Sequence, residues 1–212
     1  MKSAICLFAL GLLAATTPSM SKEQALSADV INKAELRGKG AKPSKPAMIK
    51  AEVLLDRTRF SPGVIDGSDG ENVQHAINAF QKQNGLQPSG KLNPDTWKRL
   101  IETGQEPVMT EYTITEDDVK GPFTERIPPK MEEQADLDRL AYTGPLELLS
   151  EKFHMSEALL KALNKDKSFD RPGTVITVAN VASAVERRKA KASKIEVNSR
   201  PSRCAPCRRA AP

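Results

Sequence analysis

Histidine and cysteine are scarce, two and three respectively in 212 residues. Neither histidine, His75 nor His154, has a candidate nucleophile beside it in sequence, and a lone histidine without a partner motif is weak ground for catalysis. No phosphate-cradling glycine loop and no complete set of metal ligands is present, so no cofactor is expected. Cys204 and Cys207 supply two ligands where a structural zinc needs four. They sit among prolines and arginines, whereas a redox pair of this spacing opens an apolar-periodic helix. The apolar run at residues 4–15 is too short to span a bilayer comfortably.

That run follows Lys2 and precedes small and polar residues, so residues 1–21 are expected to be a secretory signal cleaved near Ser21, with an uncleaved N-terminal anchor as the competing reading. Cys6 comes too early, and without small residues before it, for a lipoprotein signal. With cleavage, Cys204 and Cys207 are the only cysteines left, free to pair locally or with another molecule. Export to the periplasm or cell envelope is the expected location.

The formal net charge of +5 is a property of one end. Residues 186–212 hold nine Lys or Arg against two Glu, and residues 1–185 hold 23 basic and 25 acidic groups. A nucleic-acid reading needs a basic face on a binding module, so that partner is not expected. Residues 22–45 are rich in Lys, Ala, Ser and Gly and poor in large apolar groups, which predicts a flexible tether.

Three short helices follow. Ile49, Val53 and Leu54 or Leu55 give the apolar face of a helix at about 48–59. From Asn72, the stripe Val73, Ala76, Ile77 and Phe80 has the spacing of an amphipathic helix. Gly85 supplies a left-handed C-cap, with Leu86 placed to fold back on Phe80. Asn93 caps a third helix with Pro94 at its first position, and Trp97, Leu100 and Ile101 form its buried face. Between the first two helices lies a loop, residues 61–70, in which Val64 and Ile65 are expected to plug the core.

Asp66, Gly67, Gly70, Phe80, Gln81, Gly85 and Leu86, in this order, resemble the small three-helix peptidoglycan-binding domain. The resemblance covers residues 49–101 and assigns a domain at 46–104. It implies a non-catalytic module that holds its host against the cell wall, with peptidoglycan stem peptide or glycan as partner. A shallow groove using backbone donors and short polar side chains is the expected mechanism. Asp66, Gly67, Ser68, Asp69, Gly70 and Asn72 are the candidate binding residues. The competing reading is that Gly67 and Gly70 serve only the turn, and that Asp69 or Asn72 only caps a helix.

A second region is expected at 110–181. Pro145 opens a helix with Leu146, Leu149 and Phe153 on one face. Ser156 caps another, with Met155 and Leu160 as a hydrophobic staple and Leu159, Leu160 and Leu163 buried. Pro172-Gly173 then turns the chain into a β-branched strand at 174–178. Helix, corner, helix, Asn164, Pro-Gly turn and strand resemble the second part of a LysM domain, a βααβ fold that binds N-acetylglucosamine-containing glycans. Its first strand is expected at 112–115, and about thirty residues separate that strand from the first helix. The glycan groove of that family carries over only onto Glu116, Asp117 and the loop from Asn164 to Phe169, and a structural spacer is the competing reading.

The order of leader, tether, wall-binding domain, LysM-like region and residues 191–197 (KASKIEV) is similar to the front of bacterial L,D-transpeptidases. Their activity rests on a cysteine in a Ser-x-Gly-Cys-x-Arg context with an upstream histidine, because a thiolate must form beside a base before it attacks a peptide carbonyl. That string is absent, so no catalytic residue is assigned and a truncated, non-enzymatic relative is expected, with an envelope protein-interaction adaptor as the alternative from another class. The tail, residues 182–212, reads either as an off-frame extension of a lost catalytic domain or as a basic segment attracted to anionic envelope polymers. The fold class expected is therefore mainly α: a three-helix domain, a small α+β domain, and disordered segments at both ends.

Overall fold

The computed structural model describes residues 25–38, 40, 42–135 and 141–181, all within one compact unit. The expected leader, the tail and its cysteines, and residues 191–197 lie outside the described residues.

Helix α1 (Ala28–Asn32) begins where Ser27 accepts the Val30 N–H at 3.3 Å. It falls inside the segment expected to be a tether, and Ile31 is 0% exposed. The tether expectation is therefore corrected for residues 25–38. Ile31 and Ala34 enter the core and Leu26, Ala28 and Leu36 pack against it, so a few well-placed apolar residues and a serine cap dock the segment although its average composition is polar.

Helix α2 (Lys45–Arg57) starts earlier than the apolar pattern implies, because Ser44 caps it at Ala47 N and Pro46 occupies its first turn. Ile49, Val53, Leu54 and Leu55 are buried. Helix α3 (Glu71–Gln83) is capped by Gly70, with no side-chain cap bond, so neither Asp69 nor Asn72 is its N-cap. At its far end Gly85 takes φ 68°. The Leu86 N–H donates to Gln81 O at 2.9 Å and the Gly85 N–H to Lys82 O at 3.3 Å, the paired reverse bonds of a Schellman end. Helix α4 (Pro94–Ile101) is capped by Asn93, whose Oδ1 accepts from Thr96 N at 2.9 Å. Phe60 and Phe80 meet edge to face with centroids 5.5 Å apart.

Strand β1 (Met109–Thr113) pairs antiparallel with β2 (Val175–Ala179), Met109 opposite Ala179 and Thr113 opposite Val175. The first strand thus lies earlier than the expected 112–115. Thr115 is withdrawn from it because it caps α5 (Glu116–Lys120) through a capping box with Asp118. Helices α6 (Met131–Gln134), α7 (Pro145–Lys152) and α8 (Glu157–Leu163) complete the crossover, and Ser156 caps α8 at Leu159 N. The described chain is mainly helical, and four helices, not two, separate the strands.

The two regions expected as separate domains share one core that runs from Ile31 through Ile65, Phe80 and Leu100 to Leu160 and Val178. Polar ties join them as well. The Arg57 guanidinium donates to the carbonyls of Glu106, Pro107 and Asn180, sealing the end of α2 against both sheet strands' flanks. Neither part alone has enough apolar surface for more than a marginal core, so sharing one is the cheaper solution.

Candidate functional site

The loop at residues 61–70 is held from two sides. Ile65 is fully buried and forms a parallel bridge with Met155: its N–H donates to His154 O at 2.8 Å, and its carbonyl accepts from Ser156 N at 3.0 Å. Val64, expected to enter the core beside it, instead points outward at 55% exposure. Adjacent residues of an extended segment face opposite ways, so only one of the two can be the plug.

From below, Glu52 of α2 supplies the second hold. Its Oε2 accepts the N–H of Asp66 at 3.2 Å and of Gly67 at 2.9 Å. The next amide, Ser68 N, donates to Asp66 Oδ1 at 2.7 Å. Three successive backbone donors of this loop are thereby occupied within the chain, two by the buried Glu52 and the third by Asp66 at the surface.

Gly67 sits at φ 79°, and a Cβ there would lie 2.8 Å from both Ile49 Cγ1 and Lys45 Cγ. Its glycine is required by the turn and by close packing. Gly70 has an ordinary φ of −84° and open space around its Cα, so it is not required in that sense. Of the six candidates, Asp66 and Gly67 are half-buried and Ser68, Asp69, Gly70 and Asn72 are exposed in one short stretch. Asp69 accepts from Gln74 Nε2 at Oδ1 (3.3 Å) and at its carbonyl (3.4 Å), which steadies the exposed tip against α3.

The other glycine turn of this region is organised by Gln81, which is 0% exposed. Its Nε2 donates to Ser89 Oγ, Lys91 O and Thr96 Oγ1, and its Oε1 accepts from Ser89 N and Gly90 N. Gln81 therefore joins α3, the 89–91 turn and α4 with a single amide.

In the sheet region Asn164, a candidate for sugar contact, is buried and bonded to the fold through both ends of its amide. It donates to Leu160 O at 2.9 Å and Thr177 O at 2.8 Å and accepts from Thr177 N at 2.6 Å. Lys165, Asp166, Lys167 and Ser168 are exposed, Phe169 is half-buried, and Glu116 and Asp117 are exposed on the first turn of α5. Nearby, Asp118 gathers Lys152 Nζ at 2.8 Å, Tyr112 Oη at 2.6 Å, Thr115 N at 2.9 Å and Thr115 Oγ1 at 2.7 Å. Burial works against its charge, but these donors prevail and hold the carboxyl at about 2. Lys152 also lies 4.5 Å from the Tyr112 ring centroid.

His154 takes φ 55° at the α7–α8 corner, and its Nδ1 lies 3.0 Å from Asp56 Oδ1. His75 is exposed with Glu71 Oε1 3.9 Å away. Among the described residues no group of three or more His, Cys, Asp or Glu is placed to hold a metal ion, and no helix is long and apolar enough to cross a membrane.

Glu52 and Asp118 were not among the residues singled out in the sequence. Glu52 did leave a signal, since it stands three positions after Ile49 on the apolar stripe of α2, where a carboxylate is out of place unless it has a task. Asp118 is one of three adjacent acidic residues, and nothing in sequence separates it from Glu116 and Asp117.

Residues 44–100 match the family model described as a putative peptidoglycan binding domain. No curated protein matches the chain.

Proposed function

We propose, from the peptidoglycan-binding domain at residues 44–100, that this protein attaches non-covalently to cell-wall peptidoglycan without acting on it chemically. The observation that carries the reading is the coincidence of that match with the α2–α4 bundle and its exposed loop tip. Ser68, Asp69 and Asn72 present short polar side chains there, beside the exposed apolar Val64. With the amides of residues 66–68 occupied, the exposed side chains rather than these three donors make the contact in this reading. Polar groups orient a stem peptide or glycan and Val64 covers its apolar face, a combination suited to a shallow site.

Such a ligand lies outside the cytoplasmic membrane, so the protein works in the periplasm or envelope. The basic stretch at 186–212 adds attraction to anionic envelope polymers that weakens with salt. A second reading, relationship to L,D-transpeptidases, is supported only by the order of segments and by residues 191–197. The sheet region acts as a scaffold in our reading, since Asn164 is buried and both of its amide hydrogens are already bonded within the fold.

The deciding experiment is co-sedimentation of the purified chain with insoluble peptidoglycan. Wild type should pellet, and a Ser68→Ala/Asp69→Ala/Asn72→Ala variant with an unchanged melting temperature should stay in the supernatant. Wild type remaining soluble would reject the proposal. Release of peptide or sugar fragments from the wall material during incubation would reject its non-enzymatic part.

A further inference from the structure

The bond network of Glu52 is built around one unusual choice: a carboxyl with 0% exposure in the middle of an apolar helix face. Its Oε2 holds two consecutive loop amides, while its Oε1 is buried with no hydrogen-bond partner among the described residues. The loop above cannot relax sideways. Gly67 is packed on Ile49 and Lys45, and Ile65 is clamped to the α7–α8 corner. Any movement that frees Asp66 and Gly67 must therefore lift the loop off Glu52 and admit water to it.

We propose that Glu52 is the positioning residue of the wall-binding loop, and that protonation of its carboxyl favours closure of the loop over it, so that wall attachment weakens in alkaline conditions. This deepens the peptidoglycan reading and rests on it.

The physical case is one of linkage. In the closed loop a neutral carboxyl satisfies both amides through one oxygen and leaves only a hydroxyl unpaired. An ionised one would carry a buried charge whose second oxygen has no donor. Burial pushes the carboxyl up to about 8, with the Gly67 and Asp66 amides and Lys45 opposing the rise and the Asp66 charge adding to it. Those are the charged groups that face it from the helix and the loop. The titratable group of the α7–α8 corner, His154, meets the same helix at Asp56, one turn along α2, with its Nδ1 3.0 Å from Asp56 Oδ1. Water admitted by an open loop removes that burial and moves the carboxyl back toward the ordinary glutamate value of 4.5. Between these two values the closed form holds a proton that the open form releases, so closure weakens as pH rises, by up to about tenfold per pH unit.

Hydrogen exchange of the full chain, corrected for intrinsic rates, measures this directly at the Asp66 and Gly67 amides, with the Trp97 amide of α4 as an internal control. Protection of the two loop amides should fall about tenfold per unit from pH 5 to 8 and then level off, while the control stays constant. Glu52→Gln, permanently neutral and of the same shape, should flatten the profile. In co-sedimentation at pH 6 and pH 8.5, wild type should lose wall binding and Glu52→Gln should keep it.

A flat wild-type profile overturns the proposal, as does a Glu52→Gln profile that falls in parallel or wall binding that persists while protection is lost. Should Glu52→Gln fail to fold, the wild-type exchange profile against its control still decides. If neither protein sediments at any pH, the peptidoglycan reading fails, and the exchange data judge the role of Glu52 separately.

Discussion

Asn32 and Met109, 77 positions apart, exchange both of their hydrogen-bonding partners: the Met109 N–H donates to Asn32 Oδ1 at 2.8 Å, and Asn32 Nδ2 donates to Met109 O at 3.2 Å. Val108 bonds across the sheet to Asn180, and Ile114 to Thr174. Even-numbered residues of β1 therefore face β2, and the polar groups of Met109 face out along the open edge. A side-chain amide replaces the missing neighbouring strand. Asn164 does the same for Thr177 on the outer edge of β2. Each edge of a two-stranded sheet, marginal in isolation, is thus closed at one position by an asparagine from a helical segment.

The Asn32 tie makes the N-terminal segment part of the fold. Lys50 Nζ strengthens it by donating to Asn32 O at 2.9 Å and Ala34 O at 3.0 Å. Asn32→Ala should cost about 1–3 kcal/mol in urea denaturation and make residues 25–38 a new site of limited proteolysis. Asn164→Ala, at a more buried site with one more bond lost, should cost as much or more. An unchanged midpoint for both would show that edge closure contributes nothing to stability.

Two glycines three residues apart should respond oppositely. Gly67→Ala meets Ile49 and Lys45 at 2.8 Å in a left-handed backbone and should lose about 1–3 kcal/mol together with wall binding. Gly70→Ala has open space and an ordinary φ, and should lose no more than about 1 kcal/mol, from its position as N-cap. Equal losses at the two sites would contradict the geometry.

Gln81→Ala removes five hydrogen bonds at a buried site. We expect a loss of about 3–5 kcal/mol, the range of large single-residue effects, because the amides of Ser89 and Gly90 are left without partners and Thr96 Oγ1 keeps only its bond to Asn93. Thermal melting of this variant against Gln83→Ala, an exposed glutamine on the same helix, separates the network from helix propensity.

Acid should act through Asp118. Its carboxyl is held at about 2 against an ordinary 3.8, so the folded state binds its proton less readily than the unfolded chain. The stabilisation is complete above pH 4 and is lost as pH falls from about 4 to 2. Lys152, its principal partner, is 41% exposed, so we discount for screening and expect about 1–2 kcal/mol. Asp118→Asn should remove this part of the pH dependence while leaving the alkaline effect of Glu52 intact, as urea midpoints at pH 2.5, 5 and 8.5 would show.

Helix positions and their caps were legible in the chain because they depend on neighbours within one turn: Asn93 and Pro94, Ser156, and Gly85 with Leu86 all act where local pattern placed them. The candidate loop was legible as a turn, yet its division into a buried half, Asp66 and Gly67, and an exposed half, Ser68 to Asn72, was not. That division is made by Glu52 from below and by His154 and Ser156 from a corner about ninety residues downstream, and no local pattern reports on partners so distant. The polar composition of residues 22–45 misled for the same reason, since whether Ile31 is buried depends on a pocket built elsewhere.

Taken alone, the order of residues determined the short helices, their ends and the likeness of residues 49–101 to a wall-binding domain, all of them set by backbone propensity and periodic burial. Only the tertiary structure decided that the two regions share a core, that loop amides point inward, and that one buried carboxyl holds the loop. Those outcomes turn on which donor meets which acceptor once water is excluded, a choice made between segments far apart in the chain.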